Sequence, residues 1–209
     1  QPSICLGTPD LSVLEMIGAY TIFPNQGWYY EPLFVIRVED RNGNEILNLE
    51  SEQVKTHAMN ESAAYSMTHM LQKVVAGQGG FDGIRSKVGG KTGTTQDQSD
   101  GWYMGITPNL VAGVWVGCDE RFLRFRSMAF GQGARMARPI FQNFMRKIES
   151  DPKLKWNVAA DYKMPDPYDI ELDCSAYSSP NTLNLFKPNY GDEEFYEEDD
   201  PGEAEEFGD

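Results

Sequence analysis

Lys91, Thr92, Gly93 and Thr94 are the residues of this chain best equipped for chemistry. In an extended strand, Thr92 and Thr94 place two hydroxyls on one face. With the Lys91 ammonium nearby, they make a set suited to a terminal carboxylate. Gly93 has no Cβ, so a ligand can come close to its backbone. Thr95 prolongs the run. At the edge of a sheet, such a strand can pair antiparallel with an extended peptide. A plain solvent-facing strand edge would use the same four residues, because short motifs recur by chance. The flanking sequence has to decide.

Those flanks are strand-like. Gln96 to Asp100 is polar and turn-forming, and Gly101–Thr107 and Leu110–Gly117 read as strands separated by Pro108-Asn109. The three segments make an antiparallel meander with Lys91 on its first strand. A helix is expected over about 61–76, capped by Asn60 and stopped at Gly77, burying Ala64, Met67, Met70, Leu71, Val74 and Val75. Another is expected over about 134–149, with Ile140, Phe141, Phe144, Met145 and Ile148 at helical spacing. Near the start, Thr8 can cap a helix with Pro9 in its first turn, and Pro24 to Gly27 ends it. Leu33–Val38 reads as a strand, Asn42-Gly43 as a hairpin turn and Glu45–Leu49 as its return.

The chain has 209 residues, 40% of them hydrophobic, enough for a domain with a real core. No apolar run is long enough to cross a bilayer. The start at Gln1 is that of a processed or trimmed product. The net charge is −14, and eleven acids without a base between Tyr190 and Asp209 carry most of it. The body is close to neutral and has no nucleic-acid footprint. Three divisions follow: residues 1–149 as the folded body, 150–189 as an irregular extension over it, and 190–209 as a solvated acidic tail. Cys5, Cys118 and Cys174 form no metal or redox motif and read as buried or incidental thiols, and His57 and His69 lack ligand spacing.

Taken in order, several blocks resemble the transpeptidase domain of class A (bifunctional) high-molecular-mass penicillin-binding proteins. They are Leu6-Gly7-Thr8 with Leu14–Tyr20, then Gly27, Pro32 and Arg37–Gly43, then Gly90–Thr95 with its Lys-Thr-Gly. Asp100–Tyr103, Gly105, Thr107-Pro108, Gly113–Gly117 and Pro139-Ile140-Phe141 with Phe144-Met145 follow. The match covers about residues 4–149. Cys118 stands where the family often has an aromatic, and Arg138 where it has a small residue.

The resemblance implies an α+β fold of the penicillin-binding and serine β-lactamase type, an antiparallel sheet flanked by helices, incomplete in this chain. It implies a D,D-transpeptidase that cross-links stem peptides ending in D-Ala-D-Ala through an acyl-serine, and that binds β-lactams. Lys91 and Thr94 are then catalytic, Thr94 lending its N–H to an oxyanion and Lys91 helping a serine move its proton. Thr92, Gly93, Thr94 and Thr95 bind substrate. No metal or organic cofactor is implied. A glycosyltransferase domain and a membrane anchor are expected upstream, with action at the outer face of the cytoplasmic membrane, in the periplasm. The alternatives are a D,D-carboxypeptidase or β-lactamase, with water as acceptor, and a non-catalytic module that binds stem peptide or β-lactam.

The family's nucleophile motif, Ser-x-x-Lys, and its Ser-x-Asn both precede Lys-Thr-Gly. Here the only formal matches, Ser150-x-x-Lys153 and Ser179-x-Asn181, follow it in polar, Pro- and Asn-containing stretches. Neither is accepted, so the chain is expected to hold no nucleophile. Two strands of the family's five-stranded sheet also come from upstream. The hypothesis is therefore that this is the C-terminal part of a longer protein. Alone it would fold poorly, with a bare apolar edge on strand 110–117. A cooperative unfolding transition with bound fluorescent penicillin, from residues 1–209 expressed alone, would refute that.

Overall fold

The structure is a computed structural model that describes residues 7, 9–50, 53–168 and 170–172. Cys5, Thr8, Cys174, Ser179 and the acidic tail lie outside the described residues. The described residues through Ile170 form one compact unit.

Its centre is the meander. Strands β5 (Gly89–Thr94), β6 (Asp100–Thr107) and β7 (Leu110–Gly117) form an antiparallel sheet in the order β5-β6-β7. Directly opposed residues share a face. Thr92 lies opposite Tyr103 and Thr94 opposite Gly101, whereas Lys91 lies opposite Met104 and Gly93 opposite Trp102. One face packs on helix α4 (Gly133–Ser150), through Tyr103, Phe141 and Met145, with Ala112, Val114 and Val116 around them. The rings of Tyr103 and Phe141 lie 4.9 Å apart. The other face packs on helices α1 (Val13–Thr21) and α2 (Glu61–Gly77), where Ile106 meets Leu71. Among the described residues, β7 pairs only with β6 and β5 only with β6. Both outer edges of the sheet are open.

The helices follow their caps. Helix α2 starts behind Asn60, whose side chain accepts the Ala63 N–H. Thr68, not Met70, completes its inner face: Met70 is half exposed, while Thr68 is buried and its hydroxyl donates to the Ala64 carbonyl. Helix α1 starts at Val13, later than Thr8-Pro9 implied, because Ser12 and Glu15 close a reciprocal capping box. On α4, Met136, Ala137, Phe141 and Met145 are buried, and Ile140 and Phe144 face outward. A short helix, α3 (Met128–Gly131), precedes it. No helix among the described residues is long and apolar enough to cross a membrane.

The hairpin forms around Asn42-Gly43, but its strands are β2 (Arg37–Glu39) and β3 (Glu45–Asn48). Residues 33–36 stay outside the ladder, and Phe34 is 80% exposed. The Ile36 carbonyl still accepts the Leu49 N–H, but residues 33–35 meet no strand among the described residues to satisfy their propensity. A second pair, β1 (Trp28–Tyr30) with β4 (Lys55–His57), has no alternation of apolar residues to announce it. Cys118 is exposed rather than buried, because it follows the last residue of β7.

Past α4 the chain runs back over the body. Trp156 Nε1 donates to Ser86 Oγ at 2.9 Å, and the buried Tyr162 hydroxyl lies 3.1 and 2.9 Å from the Lys87 and Ile106 carbonyl oxygens. Lys87 also pairs with Asp161. The Glu149 carboxylate, at the end of α4, is only 4% exposed. It accepts the Arg85 and Ser86 backbone N–H groups and the Ser86 hydroxyl. Burial alone would push this carboxyl up, but those donors outweigh burial and hold it below the ordinary range. Glu149→Gln, in the intact protein, is expected to cost about 2 kcal/mol at pH 7, since one of these N–H groups must face an amide. A depressed native pKa stabilises the fold above the ordinary carboxyl range, and that stability is lost as pH falls through the native value. Denaturant titrations should therefore show the gap between variant and parent narrowing below about pH 4.5.

Candidate functional site

The Thr95 N–H donates to the Asp100 carbonyl, so Thr95 bonds inward, to β6. Backbone groups alternate along a strand. Gly93 and Lys91 therefore also point inward, and the N–H and C=O groups of Thr92 and Thr94 point to the open edge of β5. The Lys91 side chain is exposed, and its Nζ donates to the Thr92 carbonyl oxygen at 2.8 Å. Lys91 leaves the strand on the α1/α2 face and turns its ammonium to the open edge. The two threonines leave on the α4 face.

Helix α4 begins beside them. The Gly133 N–H donates to Thr94 Oγ1 at 3.1 Å. A hydroxyl has one proton to give. With its oxygen engaged by the helix, Thr94 can direct that proton to an anion at the edge. Gly133 can lie there only as glycine: a Cβ would sit 2.2 Å from the Gly93 carbonyl oxygen and 2.5 Å from that of Trp102. Sequence reasoning missed Gly133, and a glycine opening a helix after Gly131-Gln132 was the available signal.

Two residues are placed differently from the simplest strand picture. A Cβ on Gly93 would meet Trp102 Cβ at 3.2 Å, on the sheet face. The tight neighbour of Gly93 is thus Trp102. The Thr95 hydroxyl donates to the Asp100 carboxylate and closes the β5–β6 turn. In that turn Asp97 and Gln98 have φ of 60° and 57°, in the left-handed region. The Arg124 guanidinium lies 2.8 Å from the Asp97 carboxylate, and the Phe125 N–H donates to the Gln98 carbonyl at 3.4 Å. The segment after β7 is therefore fastened to the turn that ends β5.

The site is an edge, and the structure holds it on the chain's outside. A groove of about 720 Å³ lies instead by the segment that leads into β5, lined by His69, Lys73, Phe81 and Lys87 among others. None of its lining residues is Lys91 to Thr95, so it is not this site. Ser150 closes α4, and its hydroxyl donates to the Lys147 carbonyl. At 1.5 Å per residue, it is about 25 Å along the helix from the Gly133 end. It is far from Lys91 and Thr94 and is no nucleophile for them. No group of three or more potential metal ligands occurs among the described residues.

Both the sequence and the fold of this chain have counterparts among known proteins. The family model of the penicillin-binding protein transpeptidase domain matches residues 5–145. Penicillin-binding protein 1A of Aquifex aeolicus (strain VF5) is 31% identical over 147 residues, covering 70% of this chain and 20% of its own. Among solved structures, penicillin-binding protein 1A from Haemophilus influenzae superposes with a TM-score of 0.61 at 24% identity, covering 72% of this chain and 28% of its own. The PonA1 protein from Mycobacterium tuberculosis, in complex with penicillin V, gives 0.64 at 23%, covering 81% and 45%. These two show the fold. The chain spans about a fifth of the length of the curated relatives it matches. With the family model matching more than half of it, this chain belongs to the family of penicillin-binding protein transpeptidase domains.

Proposed function

We propose that the open edge of β5 is the substrate-binding and oxyanion wall of a serine-type D,D-transpeptidase that cross-links peptidoglycan stem peptides. The observation that carries this is that the Lys91 ammonium and the Thr94 N–H turn to one open edge, beside the Thr92 and Thr94 side chains on the α4 face. A stem peptide lies antiparallel to β5, with its penultimate carbonyl at the Thr94 N–H. Its terminal carboxylate then falls toward Thr92 and Lys91, where a cation and hydroxyl protons meet it. Thr95 acts by closing the turn at the other end.

The serine comes from sequence upstream of this chain. Its Oγ adds to the carbonyl carbon, and the oxyanion takes a hydrogen bond from the Thr94 N–H. The C–N bond then breaks, D-alanine leaves with a proton on its amine, and an acyl-serine remains. The amine of a second stem peptide displaces the serine. Lys91, at the edge, favours negative charge there and assists the proton that leaves Oγ. A strand upstream pairs with the open edge of β7. The whole protein acts outside the cytoplasmic membrane, held by an upstream anchor.

The test is covalent labelling of the intact protein by a fluorescent penicillin, followed by incubation with a donor peptide and an amine. Labelling with peptide–amine product supports a transpeptidase. Labelling with D-alanine release and hydrolysis alone makes it a carboxypeptidase. Absence of label leaves a non-catalytic module and sinks the enzyme reading.

A further inference from the structure

The segment between β7 and α3 has a composition of its own. Arg121-Phe122-Leu123-Arg124-Phe125-Arg126 alternates cations and large apolar residues, and all six are exposed. Phe122 is 74% exposed. The place of this segment is set by the sheet: β7 ends at Gly117, opposite Asp100, at the end where β5 stops at Thr94. There it folds onto the β5–β6 turn through Arg124 with Asp97 and the Phe125 N–H with the Gln98 carbonyl.

The three cations are not equivalent. Arg124 is neutralised by Asp97. Arg121 directly follows Asp119 and Glu120. Arg126 has no acid beside it in sequence and no ion pair among the described residues. Its Cα is one peptide, about 3.8 Å, from that of Phe125, which touches the turn.

The orientation of the bound peptide brings this cation into play. With the reacting carbonyl at Thr94 and the peptide antiparallel, every residue before that carbonyl moves toward Thr95, Gln96 and the turn, about 3.3 Å per residue. The first side group upstream of the reacting residue thus travels toward the turn carrying Phe125 and Arg126. We propose that Arg126 is a specificity-determining residue that binds a carboxylate on this upstream group, with Phe125 beside it for the group's apolar stem, so that the site prefers an anionic acyl donor. This rests on the reading of β5 as the donor-binding edge.

The experiment compares two penicillins acylating the intact protein: one with a carboxylate on the side-chain carbon next to the amide carbonyl, and the same molecule without it. The quantity is the ratio of their second-order acylation rates. In Arg126→Gln the ratio should fall about fivefold toward the uncharged compound, the scale of one partly exposed charge pair. Arg126→Lys should keep most of it, and added salt should erode it in the parent protein. A ratio unchanged in Arg126→Gln, with both compounds still acylating, overturns this proposal and leaves the donor-edge reading standing. Acylation by neither compound in the parent protein overturns both.

Discussion

Lys91→Ala, in the intact protein, is expected to slow acylation by a fluorescent penicillin by about 10²–10⁴-fold. The same substitution should shift the melting temperature little. Lys91 is exposed, and its one hydrogen bond, to the Thr92 carbonyl, is with its own neighbour in the strand. No packing is lost, so the effect falls on the reaction. One group leaves the edge, and both of its proposed roles go with it: favouring the terminal carboxylate and helping the serine's proton. A rate within threefold of the parent, with labelling intact, would remove Lys91 from the machinery and reduce the edge to a binding wall.

Gly133→Ala should damage both fold and rate. Its new Cβ would stand 2.2 Å from the Gly93 carbonyl oxygen and 2.5 Å from the Trp102 carbonyl oxygen. Both obstacles are backbone, so no side chain can swing away. Either α4 lifts from the sheet or β5 bends outward. Overpacking of this kind costs about 1–3 kcal/mol. Either movement also breaks the bond from the Gly133 N–H to Thr94 Oγ1 and displaces the edge that carries the proposed oxyanion donor. A misplacement of about 1 Å there costs on the order of 100-fold in rate. Denaturation curves and acylation rates on the same preparations check this. Parent-like acylation would show that α4 does not set the position of Thr94.

The meander and α2 were legible in the sequence because their signals are local. Asn60 caps α2, and Pro108-Asn109 separates β6 from β7. The Lys-Thr-Gly strand was legible as a motif, and its flanks identified the family. What stayed hidden depends on contacts between distant segments. The β1–β4 pair joins residues about 27 positions apart through three-residue strands. The seat of Gly133 under Thr94 spans 39 positions. The expected strand was too long at Leu33–Val35 because propensity is fulfilled only against a partner, and those residues meet none among the described ones. Met70 was placed inside on its apolar character, yet it lies more than half a turn round the helix from Thr68, whose hydroxyl could be buried because the Ala64 carbonyl takes its proton. Thr8-Pro9 lost to Ser12 because the capping box satisfies two backbone donors rather than one.

One helix holds both ends of the segment that carries β5. At its start α4 bonds Thr94 through Gly133, and at its close Glu149 grips Arg85 and Ser86, just ahead of β5. The chain between those grips is extended, and the 18-residue helix alongside is about 27 Å long. The helix is thus a strut with the strand strung along it, and neither end can slip in register without tilting the whole strut. Amide hydrogen exchange would register this as shared fate: the inward N–H groups of β5 should open together with the middle of α4, at the rate of that unit, rather than fray from an edge as a free outer strand does.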